Sequence, residues 1–266
     1  MSAVVIPGQP ALEAGLRARR AAGAKLLVPY VTAGLTADWT RAVEAVAAAG
    51  ADAIEIGIPF SDPIIDGPVI QAASQRALDR GVTPASALAE LGEVKIEVPM
   101  VAMTYCNILF HAGFQRYAGW LGEAGVSGTI FPDLPMEEAR PWAEFAAEKG
   151  IANVLLAAPT TSEERARAIA AESRGFVYGV GLMGVTGVRE QLASSAIGVA
   201  KRLKSVTDRP VLIGVGVSSP DHARQLAPHA DGVVVGSALV RILADGGGPE
   251  GAYDFVASLR RALDGE

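Results

Sequence analysis

Short apolar runs rich in β-branched residues alternate with alanine-rich amphipathic stretches eight times along this chain. The runs cover residues 26–31, 53–57, 100–103, 128–131, 153–156, 176–180, 211–213 and 232–235. Alternation of strands with helices is typical of a parallel sheet that carries its helices on the outside. Eight such units within 266 residues predict an α/β protein, a (β/α)8 TIM barrel that forms one domain over residues 1–266.

An open, doubly wound sheet is the alternative fold, and it would place a G-x-G-x-x-G turn after the first strand. The first predicted strand is instead followed by Thr32-Ala33-Gly34-Leu35, which lacks that pattern. An extra helix at 11–22 precedes the first strand and should cover the barrel floor or its side. The amphipathic stretches predict outer helices at 38–49, 137–149, 162–172, 194–205, 219–226 and 253–263.

Composition narrows the class of protein. Half of the residues are apolar, which allows a large core, and a net charge of -6 without a lysine and arginine stripe argues against nucleic acid. The single cysteine, Cys106, excludes a disulfide framework within the chain and fits a reducing cytoplasm. The longest uncharged run, 98–115, is interrupted by Pro99 and Gly113, so it predicts strand, turn and helix rather than a membrane span.

One acid, Glu55, interrupts the apolar run 53–57. Strand residues alternate between the barrel lumen and the helix layer, so Ile54 and Ile56 should face the helices and Glu55 the lumen. Glu55 then lies near the C-terminal end of the barrel, where the active sites of this fold are built. A structural acid paired with a cation is the alternative, but no Lys or Arg occupies the inner ends of the predicted strands.

Two further acids, Asp62 and Asp66, follow in a proline-rich loop after the same strand. Asp66 rises from the end of the barrel that holds Glu55, so the two carboxylates could converge over one pocket. The structural alternative for Asp66 is to cap the helix that begins near Pro68. Asp62 is predicted to hold the loop through local side-chain hydrogen bonds.

Glycine-rich stretches follow the last three strands. They are Gly184-Val185-Thr186-Gly187, Gly214-Val215-Gly216-Val217-Ser218 and Gly236-Ser237, and the last opens a short helix at 238–243. Glycine lets the backbone approach an anion closely, and a helix N-terminus offers free N–H groups. Loops after strands seven and eight with a short extra helix are a common barrel phosphate site. The sequence therefore predicts a small organic phosphate as the substrate.

Three tyrosines, Tyr30, Tyr105 and Tyr178, stand at the ends of strands one, three and six, near the predicted pocket. They either line that pocket or pack as ordinary core aromatics. Composition and spacing alone do not name the substrate.

Several sequence blocks resemble, in order, those of the tryptophan synthase alpha subunit family. They are PYVTAG (29–34), ADAIEIGIPFSDPIIDGPVIQ (51–71), TYCNILF (104–110), FPDLP (131–135), GVTG (184–187), GVGVSSP (214–220) and VGSALV (235–240). The resemblance spans nearly the whole chain, and segment 55–68 is its most specific part. It implies a lyase that cleaves indole-3-glycerol phosphate to indole and glyceraldehyde 3-phosphate in L-tryptophan biosynthesis.

The resemblance also implies roles for individual residues. Glu55 matches the family's acid/base carboxylate, Asp66 its second catalytic acid and Tyr178 a tyrosine near Glu55. The substrate-binding set that follows from the glycine-rich stretches, the strand ends and the resemblance comprises Tyr30, Tyr105, Thr186, Gly187, Val215, Gly216, Gly236 and Ser237.

The family's partner is a beta subunit that uses pyridoxal phosphate, whereas the alpha chain needs no cofactor and no metal. The resemblance therefore implies an alpha2beta2 complex. The loop after the second strand is the predicted docking surface, because consecutive exposed isoleucines often mark an interface. The predicted partner contacts are Asp62, Pro63, Ile64 and Asn107. Two alternatives stay open: a free-standing lyase that releases indole, and a weakly catalytic barrel that activates a partner enzyme. Intact Glu55 and Asp66 speak against the second alternative.

Overall fold

Eight parallel strands close into a barrel in the computed structural model, which describes residues 11–181, 189–214 and 216–266. The strands are β1 Leu26–Thr32, β2 Ile54–Gly57, β3 Met100–Met103, β4 Val126–Ile130, β5 Ala152–Ala157, β6 Val177–Gly179, β7 Val211–Ile213 and β8 Gly232–Val235. Each strand pairs with the next, and β8 pairs back to β1. The predicted (β/α)8 TIM barrel is confirmed, whereas the assignment of residues 1–266 to one domain stays a prediction.

The described residues form twelve helices. They are α1 Ala11–Ala21, α2 Trp39–Ala48, α3 Pro68–Asp79, α4 Pro84–Leu91, α5 Cys106–Ala112, α6 Phe114–Glu123, α7 Met136–Glu148, α8 Glu163–Glu172, α9 Arg189–Val206, α10 Pro220–Leu226, α11 Ser237–Ala244 and α12 Gly248–Asp264. The uncharged run 98–115 contains β3 and α5, as predicted. None of the helices in the described ranges is long and apolar enough to cross a membrane.

Predicted strand bounds agree with the observed ones to within a residue or two. The final helix differs more, because it begins at Gly248 rather than at the predicted residue 253. Gly248 and Gly251 are poor helix formers and conceal its first turns in the sequence. Pro249 suits the first turn of a helix, and α12 is stabilised by packing along α2.

Helix α1 closes the N-terminal end of the barrel. Its residues Leu12 and Leu16 are fully buried and belong to the same cluster as the lumen-facing strand residues. Leu12 approaches the backbone so closely that a Cβ at Gly128 or Gly175 would lie 3.0 or 2.6 Å from its Cδ2 atom. The extra helix therefore covers the floor, one of the two positions expected from the sequence.

The alternation predicted for β2 is confirmed. Ile54 and Ile56 belong to the cluster between the strands and the outer helices, whereas Ala53 belongs to the lumen cluster. Glu55 points into the lumen in register with Tyr30 of β1 and Val101 of β3. The pairing of short parallel strands thus carries one acid into the centre of the barrel mouth.

Candidate active site

A cavity of about 230 Å³ opens at the C-terminal end of the barrel. Strand ends and the loops after β2, β4, β6, β7 and β8 build its wall. The predicted site residues that line it are Tyr30, Glu55, Asp66, Tyr178, Gly216, Gly236 and Ser237. Thr186, Gly187 and Val215 lie outside the described residues, so their predicted roles are untested. The structure thus brings both predicted acids and part of the predicted phosphate clamp to one cavity.

Glu55 lies deep in this cavity, with only 1% of its surface exposed. Its Oε2 atom has no hydrogen-bond partner among the described residues. Burial, and then the negative charge of Asp66, raise the pKa of the Glu55 carboxyl to about 8. Glu55 is therefore mostly protonated at neutral pH and can act as an acid.

The other buried acids of the described ranges behave differently from Glu55. Each of the three lies at the barrel floor and pairs with two basic side chains. The pairs are Arg17 and Arg209 with Glu13, Arg19 and Arg260 with Asp52, and Arg20 and Lys204 with Asp231.

No described basic side chain forms an ion pair with Glu55, so the structural alternative of a cation-paired acid does not hold within that part of the chain. A buried polar group without a partner is costly and contributes nothing to stability. A strongly perturbed pKa in a cleft is instead typical of a residue that takes part in chemistry.

Asp66 occupies the end of the loop after β2 and is half-buried. Its Oδ2 atom accepts a hydrogen bond from the Tyr105 hydroxyl at 3.1 Å, and the same hydroxyl accepts the Ile65 N–H at 3.1 Å. Burial raises the pKa of Asp66 to about 6, although the Tyr105 hydrogen bond opposes that rise. Asp66 does not cap α3, because Gly67 is the N-cap residue and no described side chain caps it.

Tyr30, from the adjacent strand β1, and Tyr178, from β6 across the barrel, line the cavity with Glu55, and a glycine lies against each ring. A Cβ at Gly57 would collide with the Tyr30 ring, and a Cβ at Gly214 would collide with the Tyr178 ring. Burial, followed for Tyr178 by the Glu55 charge, raises the pKa of both hydroxyls well above the ordinary range. Both hydroxyls therefore stay protonated and can donate hydrogen bonds to a ligand.

The side of the cavity formed by the loops after β7 and β8 presents backbone. Gly216 has φ +66°, a left-handed conformation that favours glycine, and no described atom lies within 4 Å of where its Cβ would stand. Helix α11 begins at Ser237, and among the described residues no side chain caps its N-terminus. Its first amides could therefore take an anion, and the phosphate site expected from the sequence at this segment stays a prediction.

A sequence model of one known family matches this chain. It describes the tryptophan synthase alpha chain, and it covers residues 16–260. The chain belongs to the tryptophan synthase alpha chain family. The resemblance seen in the sequence blocks is thereby confirmed.

Individual relatives agree with this assignment to the tryptophan synthase alpha chain family. The tryptophan synthase alpha chain of Halorhodospira halophila is 45% identical over 257 residues, which cover 93% of this chain and 94% of the relative. The tryptophan synthase alpha chain of a Picosynechococcus species is 44% identical over 255 residues, which cover 93% of this chain and 97% of the relative. A structure of Mycobacterium tuberculosis tryptophan synthase superposes with a TM-score of 0.87 at 36% identity, covering 96% of this chain and 98% of the other. The alpha subunit of Legionella pneumophila tryptophan synthase superposes with a TM-score of 0.85 at 31% identity, covering 97% of this chain and 100% of the other.

The cavity of this family member also has an apolar wall that the sequence analysis did not identify. Met103, Leu156 and Val234 line it from the ends of β3, β5 and β8, and Val180 and Val217 line it from loops. The strand alternation could have revealed the first three, since each lies at a lumen position near a C-terminal strand end. Such a wall suits the apolar part of a ligand.

Tyr105 differs from the other two tyrosines because it does not line the cavity of this family member. Its ring stacks on Phe60 with the ring centroids 4.9 Å apart, and its hydroxyl donates a hydrogen bond to the Asp66 carboxylate. The geometry therefore places Tyr105 against a catalytic candidate rather than in the cavity wall.

The predicted partner residues of this tryptophan synthase alpha chain family member lie at the surface. Asp62, Ile64 and Asn107 are exposed, and Pro63 is partly exposed. Phe110, one turn after Asn107 on α5, is 56% exposed, which was not predicted from the sequence. Elsewhere, the described residues contain no group of three or more His, Cys, Asp or Glu side chains that could hold a metal ion.

Proposed function

We propose that this chain is an aldolase-type lyase, the alpha subunit of tryptophan synthase. It cleaves indole-3-glycerol phosphate to indole and glyceraldehyde 3-phosphate in L-tryptophan biosynthesis. Membership of the tryptophan synthase alpha chain family supports this activity. The observation that carries it is the buried Glu55, which no described side chain pairs, in a cavity that also presents Gly216 and the N-terminus of α11.

Glu55 supplies the proton that makes the carbon–carbon bond cleavable. Indole is a poor carbanion leaving group, so its C3 atom must first be protonated to give an indolenine-like cation. Protonated Glu55 donates that proton and becomes a carboxylate. The carboxylate then removes the proton of the neighbouring glycerol hydroxyl while the bond breaks, the aldehyde forms and the electron pair returns to the ring. Glu55 ends the cycle protonated, ready for another turnover.

Asp66 has a different role because its environment is different. The pKa of about 6 keeps its carboxylate largely ionised at neutral pH, while Glu55 holds a proton. Ionised Asp66 accepts the indole N–H and stabilises the positive charge that develops on the ring. Tyr178 and Tyr30 donate hydrogen bonds to the substrate from the lumen side, since both hydroxyls stay protonated.

The two ends of the substrate meet different walls of the cavity. We assign the indole ring to the apolar side chains of Met103, Leu156 and Val234. The phosphate binds the backbone of Gly216 and Gly236 and the N-terminus of α11, where neutral amides offset its charge. The predicted contributions of Thr186, Gly187 and Val215 belong to the same clamp.

A beta subunit is the partner that we propose, in an alpha2beta2 complex. Ile64 and Phe110 expose large apolar side chains, and Phe110 lies one turn from Asn107 on α5, so this exposure supports a docking surface that includes these residues. The alpha chain reaction uses no cofactor of its own, because Glu55 and Asp66 supply both the proton transfer and the charge stabilisation. Pyridoxal phosphate is expected only in the beta subunit, and the cytoplasm is the proposed location.

A turnover assay tests the proposed activity. The purified chain is incubated with indole-3-glycerol phosphate, alone and with a beta subunit. We expect indole and glyceraldehyde 3-phosphate in equal amounts, and a higher rate with the beta subunit. Absence of indole under both conditions would overturn the proposal. Full turnover that is indifferent to the beta subunit would favour a free-standing lyase.

A further inference from the structure

Asp133, in the loop after β4, makes contacts that lie outside the cavity. Its Oδ1 and Oδ2 atoms accept the backbone N–H of Cys106 at 2.9 and 3.2 Å, and Oδ2 also accepts the Cys106 thiol at 3.1 Å. Cys106 is the first residue of α5, and Tyr105, its N-cap residue, provides no side-chain cap. An acid from the next barrel unit therefore caps this helix, and its negative charge suits a helix N-terminus.

Tyr105, which immediately precedes Cys106, holds the loop after β2 at two places. Its ring stacks on Phe60 near the start of the loop, with an angle of 20° between the ring planes. Its hydroxyl accepts the Ile65 N–H and donates to the Asp66 carboxylate near the end of the loop. Tyr105 therefore holds the Asp66 carboxylate in place, while Pro63 and Gln71 hydrogen-bond the Asp66 backbone.

We propose that Asp133 is a positioning residue for the lyase reaction, which fixes Asp66 by way of the first turn of α5 and Tyr105. This inference rests on the proposed function, because it assigns a purpose to the geometry of Asp66. Asp133 itself does not line the cavity, although its neighbour Pro132 does. It acts only through the backbone of Cys106 and the side chain of Tyr105.

Loss of this support has a predictable effect on Asp66. The Tyr105 hydrogen bond lowers the pKa of Asp66 against the effect of burial, so a displaced Tyr105 lets that pKa rise. The other titratable groups that face Asp66 are Glu55 of β2, Tyr30 of β1 and Tyr178 of β6. None of them is bonded to Asp133 in the described part of the chain.

A double-mutant cycle tests the inference. The variants Asp133→Ala and Tyr105→Phe and their combination are compared for kcat and for the pH dependence of kcat. Each single change should lower kcat roughly tenfold, which is the effect of losing one hydrogen bond to a charged group. Each should also move the acidic limb of the pH profile of kcat to higher pH. The double variant should lose little more than the worse single variant, because both changes remove the same support.

Two further variants separate positioning from general damage. Asp133→Asn keeps an oxygen that accepts the Cys106 N–H, so it should retain most of the wild-type kcat. Cys106→Ala keeps the backbone N–H and should leave kcat unchanged. Alkylation of the Cys106 thiol reports on the bond directly. Burial, and then the hydrogen bond to Asp133, raise the thiol pKa to about 11, so Asp133→Ala should make the thiol react faster at pH 8.

The inference would be contradicted if the two losses in kcat were additive. It would also be contradicted if the acidic limb of the pH profile did not move in Asp133→Ala. Carbon NMR of the Asp66 carboxyl gives the same answer without turnover, because its pKa should rise in both single variants. If Asp133→Ala does not fold, Asp133→Leu, which keeps the bulk of the side chain but no acceptor oxygen, replaces it in the cycle, and additive losses there contradict the inference. If the wild-type chain has no lyase activity but the Asp66 pKa still rises in both single variants, the proposed function is refuted and the positioning role of Asp133 stands.

Discussion

Replacing Glu55 by glutamine should make the protein more stable at alkaline pH. The pKa of Glu55 rises from 4.5 to about 8 on folding, so the unfolded chain ionises at a pH where the folded chain still holds the proton. The stability associated with this proton is fully present below pH 4.5 and is lost as the pH rises through about 8. At about 1.4 kcal/mol for each pH unit, the full loss is roughly 5 kcal/mol.

Glu55→Gln has no proton to lose and avoids this penalty. We expect its free energy of unfolding to match that of the wild type near pH 4.5 and to exceed it above pH 8. A gain of about 2 kcal/mol or more is expected, because water that enters the cavity reduces the full value of roughly 5 kcal/mol.

Urea unfolding of both proteins at pH 5 and at pH 8.5 measures the difference. Asp52→Asn is the matched control, because this buried acid is paired with Arg19 and Arg260. Its loss should destabilise the protein by roughly 3 kcal/mol, since it leaves buried positive charge without a partner. Equal stabilities of Glu55→Gln and the wild type at pH 8.5 would refute the claim that Glu55 is an unpaired, protonated acid.

Three further predictions concern turnover and the partner. The rate should follow a bell-shaped pH profile, falling below about pH 6 as Asp66 is protonated and above about pH 8 as Glu55 ionises; a flat profile between pH 5 and 9 would contradict both roles. Ser237→Asp should raise KM for the phosphorylated substrate at least roughly tenfold through charge repulsion while leaving indole binding intact, and calorimetry with both ligands distinguishes this from a folding defect. Ile64→Asp combined with Phe110→Asp should weaken beta-subunit binding, and a glycerol phosphate analogue should tighten the complex of the wild type; analytical ultracentrifugation measures both.

The parts of the fold that sequence could predict are those set by local periodicity. The alternation of short apolar runs with amphipathic stretches is a property of neighbouring residues, and it predicts the barrel and the order of its strands. The same period of two directs Glu55 to the lumen, while Ile54 and Ile56 contact the helices. Glycines after β7 and β8 likewise predicted residues that line the cavity wall, at which we propose that the phosphate binds.

Contacts between distant segments could not be predicted in this way. Arg209 reaches Glu13 across 196 residues of chain, and Tyr105 reaches Asp66 across 39 residues. Whether a buried acid has a partner depends on such contacts, so the contrast between Glu55 and the floor acids is visible only in the folded protein. The capping of α5 by Asp133 has the same origin, because the two segments meet only when β3 and β4 pair.

The rate at which Glu55→Gln releases indole is the sharpest test of Glu55 as the acid that cleaves the substrate. Single-turnover release of indole from indole-3-glycerol phosphate is measured for the wild type and the variant, and calorimetry with a glycerol phosphate analogue verifies that the site still binds. We predict a loss of at least roughly 100-fold in the rate with unchanged analogue affinity, as expected for removal of a general acid and base. A variant that releases indole at nearly the wild-type rate would show that Glu55 is not the acid that cleaves the substrate.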